Sequence, residues 1–144
     1  MLHLTIITPD DTVFTGDVLA VTLPTADGEI TVLPQHIPLV SAVVPGTIIV
    51  KTAEGERVFA VSRGVLEVDG KTMRILTDTA DRAEALEEAA VEAAKARAEK
   101  LMTEKRSDAE GFAEATAILE RELARLKTVR RHRAKGGMHV QSQE

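Results

Sequence analysis

The sequence has no cysteine, no tryptophan and no tyrosine among its 144 residues, and three phenylalanines are its only aromatic side chains. Without cysteine there is no disulfide framework, no thiolate nucleophile and no thiolate metal site. Sites that stack sugars or nucleic-acid bases depend on aromatic rings. The near absence of aromatic residues therefore argues against a protein with such a site.

A positive net charge and long apolar runs are also missing. The formal net charge is −5, whereas nucleic-acid binding requires a basic face, so we expect no nucleic-acid partner. No apolar run approaches the roughly 20 residues of a membrane-spanning helix, so we expect no direct membrane insertion. Met1–Leu4 leads directly into a strand pattern, with no visible signal or transit segment. We therefore expect a cytoplasmic protein that is still able to attach to a membrane-bound partner.

Proline is scarce and concentrated in one stretch. Four of the five prolines fall within Pro24–Gly46. The Asp27-Gly28 pair predicts a tight turn, because glycine adopts positive φ without a steric cost. Pro34 and Pro38 bracket a three-residue connection, and each proline fixes its own φ and pushes the preceding residue toward extended conformations. We predict a rigid surface loop on a β scaffold, which is a common position for partner contacts.

Residues 1–80 have the pattern of short strands. The apolar runs are β-branched, closely spaced and separated by turn residues, which is typical of an antiparallel sandwich or barrel. Acid–glycine pairs at Glu54-Gly55 and Asp69-Gly70 predict two further tight hairpins. Strands this close together leave no room for helical crossovers. The predicted strands are His3–Thr8, Val18–Leu23, Ile30–Leu33, Leu39–Val44, Thr47–Lys51, Arg57–Val61, Val65–Val68 and Met73–Leu76.

The composition changes at about Asp81. Residues 83–102 are rich in Ala, Glu, Lys and Arg and contain neither glycine nor proline. This composition predicts a helix, with Thr79 or Asp81 as the residue that caps its start.

A second helix is predicted from about Asp108 to Arg133. Ser107 and Glu110 have the spacing of a capping box at its start, and Gly136-Gly137 is predicted to end it. The predicted organisation is a β-sandwich domain at residues 1–80, an antiparallel two-helix hairpin at residues 81–135, and a disordered tail at residues 136–144.

Charge is distributed unevenly along the predicted hairpin. Residues 1–80 contain ten acids and five bases, whereas residues 81–144 contain thirteen of each. The first helix is mainly acidic and the end of the second is mainly basic, which favours an antiparallel hairpin. The same basic end is also suited to an acidic partner, and both interpretations stay open. Because large apolar residues are few and alanine is abundant, we expect a hairpin that detaches at modest cost.

No motif for catalysis or metal binding is present. Gly70-Lys71-Thr72 resembles the end of a phosphate-binding loop, but Val65 takes the place of its first glycine, so a hairpin turn is the better interpretation. His36 has no relay partner nearby in the sequence, which favours a structural or contact role. The sequence therefore gives no sign of a catalytic site, and we expect neither a metal nor a cofactor. The histidines, which lack metal-ligand spacing, are His3, His36, His132 and His139.

Several segments, taken in order, resemble the epsilon subunits of bacterial F-type ATP synthases. The resemblance extends to about Arg133, and its specificity comes from the combination, since each segment alone is weak. The segments are Ile7–Asp10 (ITPD), Leu23–Ile30 (LPTADGEI), Leu33–Val40 (LPQHIPLV), Pro45-Gly46, Ala60–Val68 (AVSRGVLEV) and Ile75–Ala80 (ILTDTA).

The resemblance implies a sandwich of about ten strands that binds the gamma subunit and sits on the membrane rotor ring. It also implies a helical hairpin that rises along gamma and blocks ATP hydrolysis. The chain would be a non-catalytic rotor subunit that couples proton transport to ATP synthesis. It would be peripheral at the cytoplasmic face of the bacterial cell membrane and a monomer when isolated. Glu29 and His36 match positions that face the ring. The side chains that would approach acidic segments of the catalytic beta subunits are Arg121, Arg125, Arg130, Arg131 and Arg133.

Some similar proteins bind ATP in the folded hairpin, and the resemblance supplies candidate residues for such a site. Here Glu87 replaces an aspartate of the motif and Ala90 replaces an arginine, whereas Arg97, Arg121 and Arg125 match basic positions. Loss of a charge-assisted phosphate contact costs a few kcal/mol. We therefore predict weak or absent ATP binding. The alternative function is a free-standing nucleotide-sensing module whose hairpin closes on its ligand.

Overall fold

The computed structural model describes the backbone of residues 1–142 and the side chains of residues 1–134. This part of the chain forms ten strands, a short 3-10 turn at Ala83–Ala85 and two α-helices, α1 (Glu88–Glu104) and α2 (Ala109–Ser142). The strands are β1 (Leu2–Ile7), β2 (Thr12–Val18), β3 (Ala20–Thr25), β4 (Gly28–Val32), β5 (Leu39–Val43), β6 (Gly46–Thr52), β7 (Gly55–Val61), β8 (Gly64–Val68), β9 (Thr72–Thr77) and β10 (Ala80–Arg82).

The strands form a sandwich in the order β10-β7-β6-β3-β5-β8-β9-β1-β2, with β4 paired to β3. Every pairing is antiparallel except that of β1 with β9, which is parallel. The predicted fold, a largely antiparallel β-sandwich followed by two helices, is confirmed.

A single apolar core fills the sandwich. Alternate side chains of β1, namely Leu2, Leu4 and Ile6, are fully buried, as the two-residue period of a strand requires. Sixteen buried residues from nine strands make up this core, and Phe14 packs edge-on against Phe59 at its border, with ring centroids 5.9 Å apart. This core gives the sandwich a rigid body on which other elements dock.

The strand predictions missed two elements and merged two others. β2 and β10 were not predicted, and the predicted run Val18–Leu23 is divided at Leu19, which is 45% exposed. β3 also changes neighbours along its length: Thr22 pairs with β6, whereas Thr25 pairs with β5. Pro24, which has no backbone N–H to donate, lies between these two pairings.

All three predicted acid–glycine turns are present. Gly28, Gly55 and Gly70 have φ values of 117°, 135° and 101°, which favour glycine. They connect β3 to β4, β6 to β7 and β8 to β9.

The first helix begins later than predicted. Neither Thr79 nor Asp81 caps it, because Asp81 and Arg82 extend the sheet by pairing with β7. α1 begins at Glu88, preceded by Glu87 in an extended conformation with no side-chain cap. Pairing with β7, followed by burial of Ala83, outweighs the helix propensity of this segment.

The second helix begins close to the predicted position but continues past its predicted end. Asp108 rather than Ser107 precedes the helix, and its carbonyl oxygen accepts a hydrogen bond from the N–H of Phe112 at 2.8 Å. α2 runs through Gly136 and Gly137 to Ser142, so the predicted stop and the predicted disorder of residues 136–142 are wrong. Each helical glycine costs about 1 kcal/mol, which an already nucleated helix tolerates. Residues 143–144 lie outside the described residues.

Among the helices described, none combines the length and the apolar character needed to span a bilayer.

Candidate functional site: the docked hairpin

α2 lies on the outer surface of β6 and β7 and is held there by a buried hydrogen bond. The hydroxyls of Thr47 on β6 and Thr128 on α2 are 2.7 Å apart, and these residues are 9% and 0% exposed. Because both groups are removed from water, each depends on the other for its hydrogen bond. This contact fixes the position of α2 along the sandwich.

Earlier on α2, a buried carboxylate connects two arginines. Glu122 is only 2% exposed, and it accepts hydrogen bonds from Arg125 Nη1 at 2.9 Å and from Arg121 Nε at 3.3 Å. Arg125 also donates to Asp81 of β10, with N–O distances of 2.8 and 2.9 Å. A chain of alternating charges therefore joins α2 to the sandwich.

A third contact lies at the surface. Arg63, in the turn before β8, donates to Glu120 of α2 at 3.1 Å, with 69% and 37% of the two side chains exposed. Exposed pairs of this kind contribute about 0–1 kcal/mol. This pair adds less to docking than the buried contacts do.

Opposite charges also connect the two helices. Arg130 donates to Glu88 at 2.9 Å and to Glu92 at 2.8 Å, and Arg133 donates to Glu88. The hydrogen bond from Arg130, together with the charge of Arg133, lowers the pKa of Glu88. The prediction that an acidic helix faces a basic one is confirmed for these pairs.

Apolar support between the helices is thin. Val91 of α1 packs with Leu126 and Val129 of α2, and Leu86 lies against this cluster. Closer to the connection between α1 and α2, the buried residues include the alanines Ala98 and Ala115. Since alanine buries little area, the charged contacts carry much of the specificity of the pairing.

The arginines predicted to reach a catalytic subunit are mostly engaged inside the chain. Four of the five, Arg121, Arg125, Arg130 and Arg133, bind carboxylates of this protein. Arg131 is exposed and forms no ion pair with the residues whose side chains are described.

The candidate ATP-binding arginines do not form an empty cationic pocket. A cavity of about 320 Å³ between the helices is lined by residues that include Leu86, Glu87, Ala90, Glu122 and Arg125. Glu122 already binds Arg125 at this cavity, and Arg97 is exposed on α1 outside its lining.

Sequence reasoning missed the importance of Glu122. One signal was available, since Glu122 is the single acid among the basic residues from Arg121 to Lys135. An isolated acid within a basic stretch of helix is suited to an internal counter-charge.

The proline-bracketed loop is held in one conformation. Gln35 has φ 67°, and its N–H donates to the carbonyl of Gly70 at 2.9 Å. His36 Nδ1 donates to the carbonyl oxygen of Ile37 at 2.7 Å. The flanking residues Leu33, Ile37 and Val40 are 55%, 75% and 72% exposed. The loop therefore presents an apolar surface, which is typical of a contact site.

The two predicted ring-contact residues do not share this loop. Glu29 is exposed near the beginning of β4, whereas His36 follows the end of that strand. The length of β4 therefore separates the two side chains.

Within the described part of the chain, no group of three histidine, aspartate or glutamate side chains is placed to hold a metal ion.

Comparison with known proteins agrees with this architecture. Residues 1–83 match the family model described as ATP synthase, Delta/Epsilon chain, beta-sandwich domain. An ATP synthase epsilon chain from Nitrosococcus oceani is 36% identical over 137 residues, which cover 94% of this chain and 97% of the relative. One from Bordetella parapertussis is 39% identical over 126 residues, covering 87% and 86%.

A solved structure has the same fold. A chain in the Euglena gracilis mitochondrial ATP synthase (OSCP/F1/c-ring, rotational state 1) superposes with a TM-score of 0.70 at 24% identity, covering 83% of this chain and 75% of that one. The sandwich, the two docked helices and the near full-length similarity to epsilon chains lead to one conclusion: the chain belongs to the ATP synthase delta/epsilon chain family, among its epsilon chains.

Proposed function

We propose that this chain is a non-catalytic subunit of the central stalk that couples proton transport through the membrane ring to ATP synthesis. Its sandwich binds the gamma subunit and the ring, and its helices restrain ATP hydrolysis when they leave the sandwich and approach the catalytic beta subunits. The protein works as a peripheral protein at the cytoplasmic face of the bacterial membrane and is a monomer when isolated.

One observation carries the regulatory part of this proposal. Three arginines at the basic end of α2 are neutralised by carboxylates of other elements of the chain: Asp81 on β10 pairs with Arg125, and Glu88 and Glu92 on α1 pair with Arg130 and Arg133. An acidic segment of a beta subunit would supply equivalent carboxylates. Because one set of ion pairs replaces another, the helix can move from the sandwich to the beta subunit without leaving these arginines unpaired. The docked state is then the one in which hydrolysis proceeds.

The loop of His36 supports the contact with the ring. Its bonds to neighbouring backbone hold it stiff, and the exposed Leu33, Ile37 and Val40 give it an apolar surface. Glu29 lies at the other end of β4, so a contact through both residues requires a partner surface as long as the strand, about 17 Å.

A reversible lock tests the regulatory proposal. Thr47→Cys with Thr128→Cys places two sulfurs where the hydroxyls are now 2.7 Å apart, close to the reach of a disulfide bond. The natural chain has no cysteine, so this bond would be the only one within the subunit. In the assembled enzyme, the oxidised lock should keep α2 on the sandwich and raise ATP hydrolysis, and a reductant should restore restraint.

The two single-cysteine variants are the controls, because neither can form the internal bond. Hydrolysis that is the same in oxidised and reduced enzyme, with the bond confirmed by mass spectrometry, would contradict the regulatory proposal. Failure of the chain to co-purify with gamma would contradict the proposal of a stalk subunit.

A further inference from the structure

A cleft of about 880 Å³ separates α2 from the end of the sandwich near β5 and β6. One wall belongs to the sandwich and includes Pro24, Val44 and Pro45, while the opposite wall belongs to α2 and includes Leu123, Lys127 and Arg131. We call this space the sandwich–helix cleft. It has two walls only while α2 is docked.

The wall formed by α2 has an unpartnered stripe. Leu123, Lys127 and Arg131 follow one another at four-residue spacing, so they share one face of the helix. Leu123 is 44% exposed, which is high for a leucine beside a domain contact. Lys127 and Arg131 form no ion pair with the side chains described, although four other arginines of this helix are paired.

Besides Lys127 and Arg131, only three charged residues line the cleft. Arg63 and Glu120 neutralise each other at 3.1 Å, which leaves Glu29 as an acid on the sandwich side. Lys127 and Arg131 therefore exceed the unpaired acids that line the cleft, in a protein whose net charge is −5. An anionic partner with an apolar side chain complements this surface.

We propose that the sandwich–helix cleft binds an acidic segment of the stalk partner, with an apolar anchor against Leu123 and Pro45 and carboxylates at Lys127 and Arg131. From residue 123 to residue 131 the helix spans about 12 Å. About eight helical or four extended residues of the partner cover that length.

This arrangement makes partner binding depend on the state of the hairpin. A segment that contacts both walls binds only when α2 is docked, and thermodynamic linkage requires that it stabilise docking by the same factor. The inference rests on the proposed function, because it names the stalk partner as the source of the segment. It adds a contact between gamma and the docked hairpin to the contact between gamma and the sandwich.

The test measures the affinity of the full chain for the gamma subunit of its own complex. Lys127→Glu with Arg131→Glu should weaken binding at least tenfold, and Leu123→Ser should weaken it in the same direction. The matched control is Arg97→Glu with Lys100→Glu, which makes the same change in net charge on exposed residues of α1 and should change affinity less than threefold. Gamma should also slow amide exchange in residues 119–131 of the unaltered chain.

The outcomes separate the two proposals. If the cleft variants keep native amide exchange in the sandwich and bind gamma as tightly as the unaltered chain, the proposal of binding in the cleft is wrong. The proposed function as a stalk subunit would not be affected. Equal weakening by the cleft pair and the control pair would show that only net charge matters and would also overturn the proposal of binding in the cleft. An unaltered chain that fails to bind gamma would overturn the proposed function itself.

Discussion

At the residue scale, Glu122 determines what the hairpin can bind. It is buried at the cavity between the helices and already accepts hydrogen bonds from Arg121 and Arg125. A ligand phosphate would have to displace this carboxylate, or bind next to it against charge repulsion. The internal acid thus satisfies the two arginines without any nucleotide.

We expect no saturable binding when ATP is titrated into the isolated protein up to micromolar concentrations, measured by calorimetry. Glu122→Gln should raise the affinity, because the neutral side chain leaves Arg121 without a carboxylate and Arg125 with Asp81 alone. Glu120→Gln, which changes a more exposed acid that pairs with Arg63 and not with this cluster, should have no such effect. Micromolar affinity in the unaltered chain would contradict the prediction and favour a nucleotide-sensing module.

Gly64 is a second residue that constrains the structure, because the sandwich has no room for a side chain at this position. A Cβ at this position would lie 2.0 Å from the carbonyl oxygen of Leu76 on the neighbouring strand β9. Backbone cannot move aside as a flexible side chain does, so the strands would have to separate.

Gly64→Ala should therefore lower the free energy of unfolding by about 1–3 kcal/mol, as overpacked cores do. Gly16→Ala is the matched control, since its Cβ would meet nothing closer than Phe14 at 3.6 Å, and its effect should stay within about 0.5 kcal/mol. The midpoints of urea unfolding report both changes in stability, provided that the m-value is the same in all variants. Equal midpoints for the two variants would contradict the steric argument.

At the scale of elements, Glu88 makes the pairing of α1 with α2 depend on pH. The hydrogen bond from Arg130 holds the folded-state pKa of Glu88 below its ordinary value of 4.5. A lowered pKa means that the stabilisation is fully present above about pH 4.5 and is lost as pH falls through the folded-state value.

Helix pairing should therefore weaken in acid, and Glu88→Gln should remove part of this dependence. Amide exchange of α1 between pH 5 and 3, corrected for the intrinsic rate, measures the effect. Glu84→Gln is the control, because Glu84 is exposed and forms no ion pair among the described side chains. Identical acid profiles for Glu88→Gln and the unaltered chain would exclude this role of Glu88.

Elements with clear local signals were predicted well, and those defined by tertiary pairing were not. The acid–glycine turns follow from backbone sterics alone and were all identified. β2 includes Gly16 and Asp17, which weaken its strand pattern, and β10 is only three residues long. β10 exists because β7 offers it a partner, and that partner is distant in sequence.

The candidate site also has features that the sequence predicted and features that depend on tertiary contacts. The acidic composition of the first helix and the basic end of the second predicted that they would pair, because this prediction requires only the sign of the charges and not the individual partners. The partners of Arg125 were not predictable, since Asp81 reaches it only after β10 and α2 have both docked. Nor does sequence show a cleft, which depends on the space between two elements.

At the scale of the whole molecule, the two halves differ in the means by which they are held together. Sixteen buried apolar residues form the core of the sandwich, whereas the hairpin, as far as its side chains are described, has a cluster of three with Leu86 against them. Regions with few buried apolar contacts open first.

Hydrogen exchange under native conditions should consequently show α1 and α2 opening at a much lower free energy than β1, β6 and β9. The comparison uses one sample, so each half is the reference for the other. Equal protection in both halves would refute a hairpin that detaches at modest cost.

The parallel pairing of β1 with β9 has a consequence for biosynthesis. β1 leaves the ribosome before the other strands described here, yet the strand that covers its second edge is the ninth of them. Until β9 emerges, the nascent chain carries an open edge beside the β1–β2 hairpin, which is a point where strands of other chains can attach. Translation that slows while β9 is still inside the ribosomal exit tunnel should prolong this exposure, whereas a pause once residue 82 has left the tunnel leaves a complete sandwich awaiting its helices.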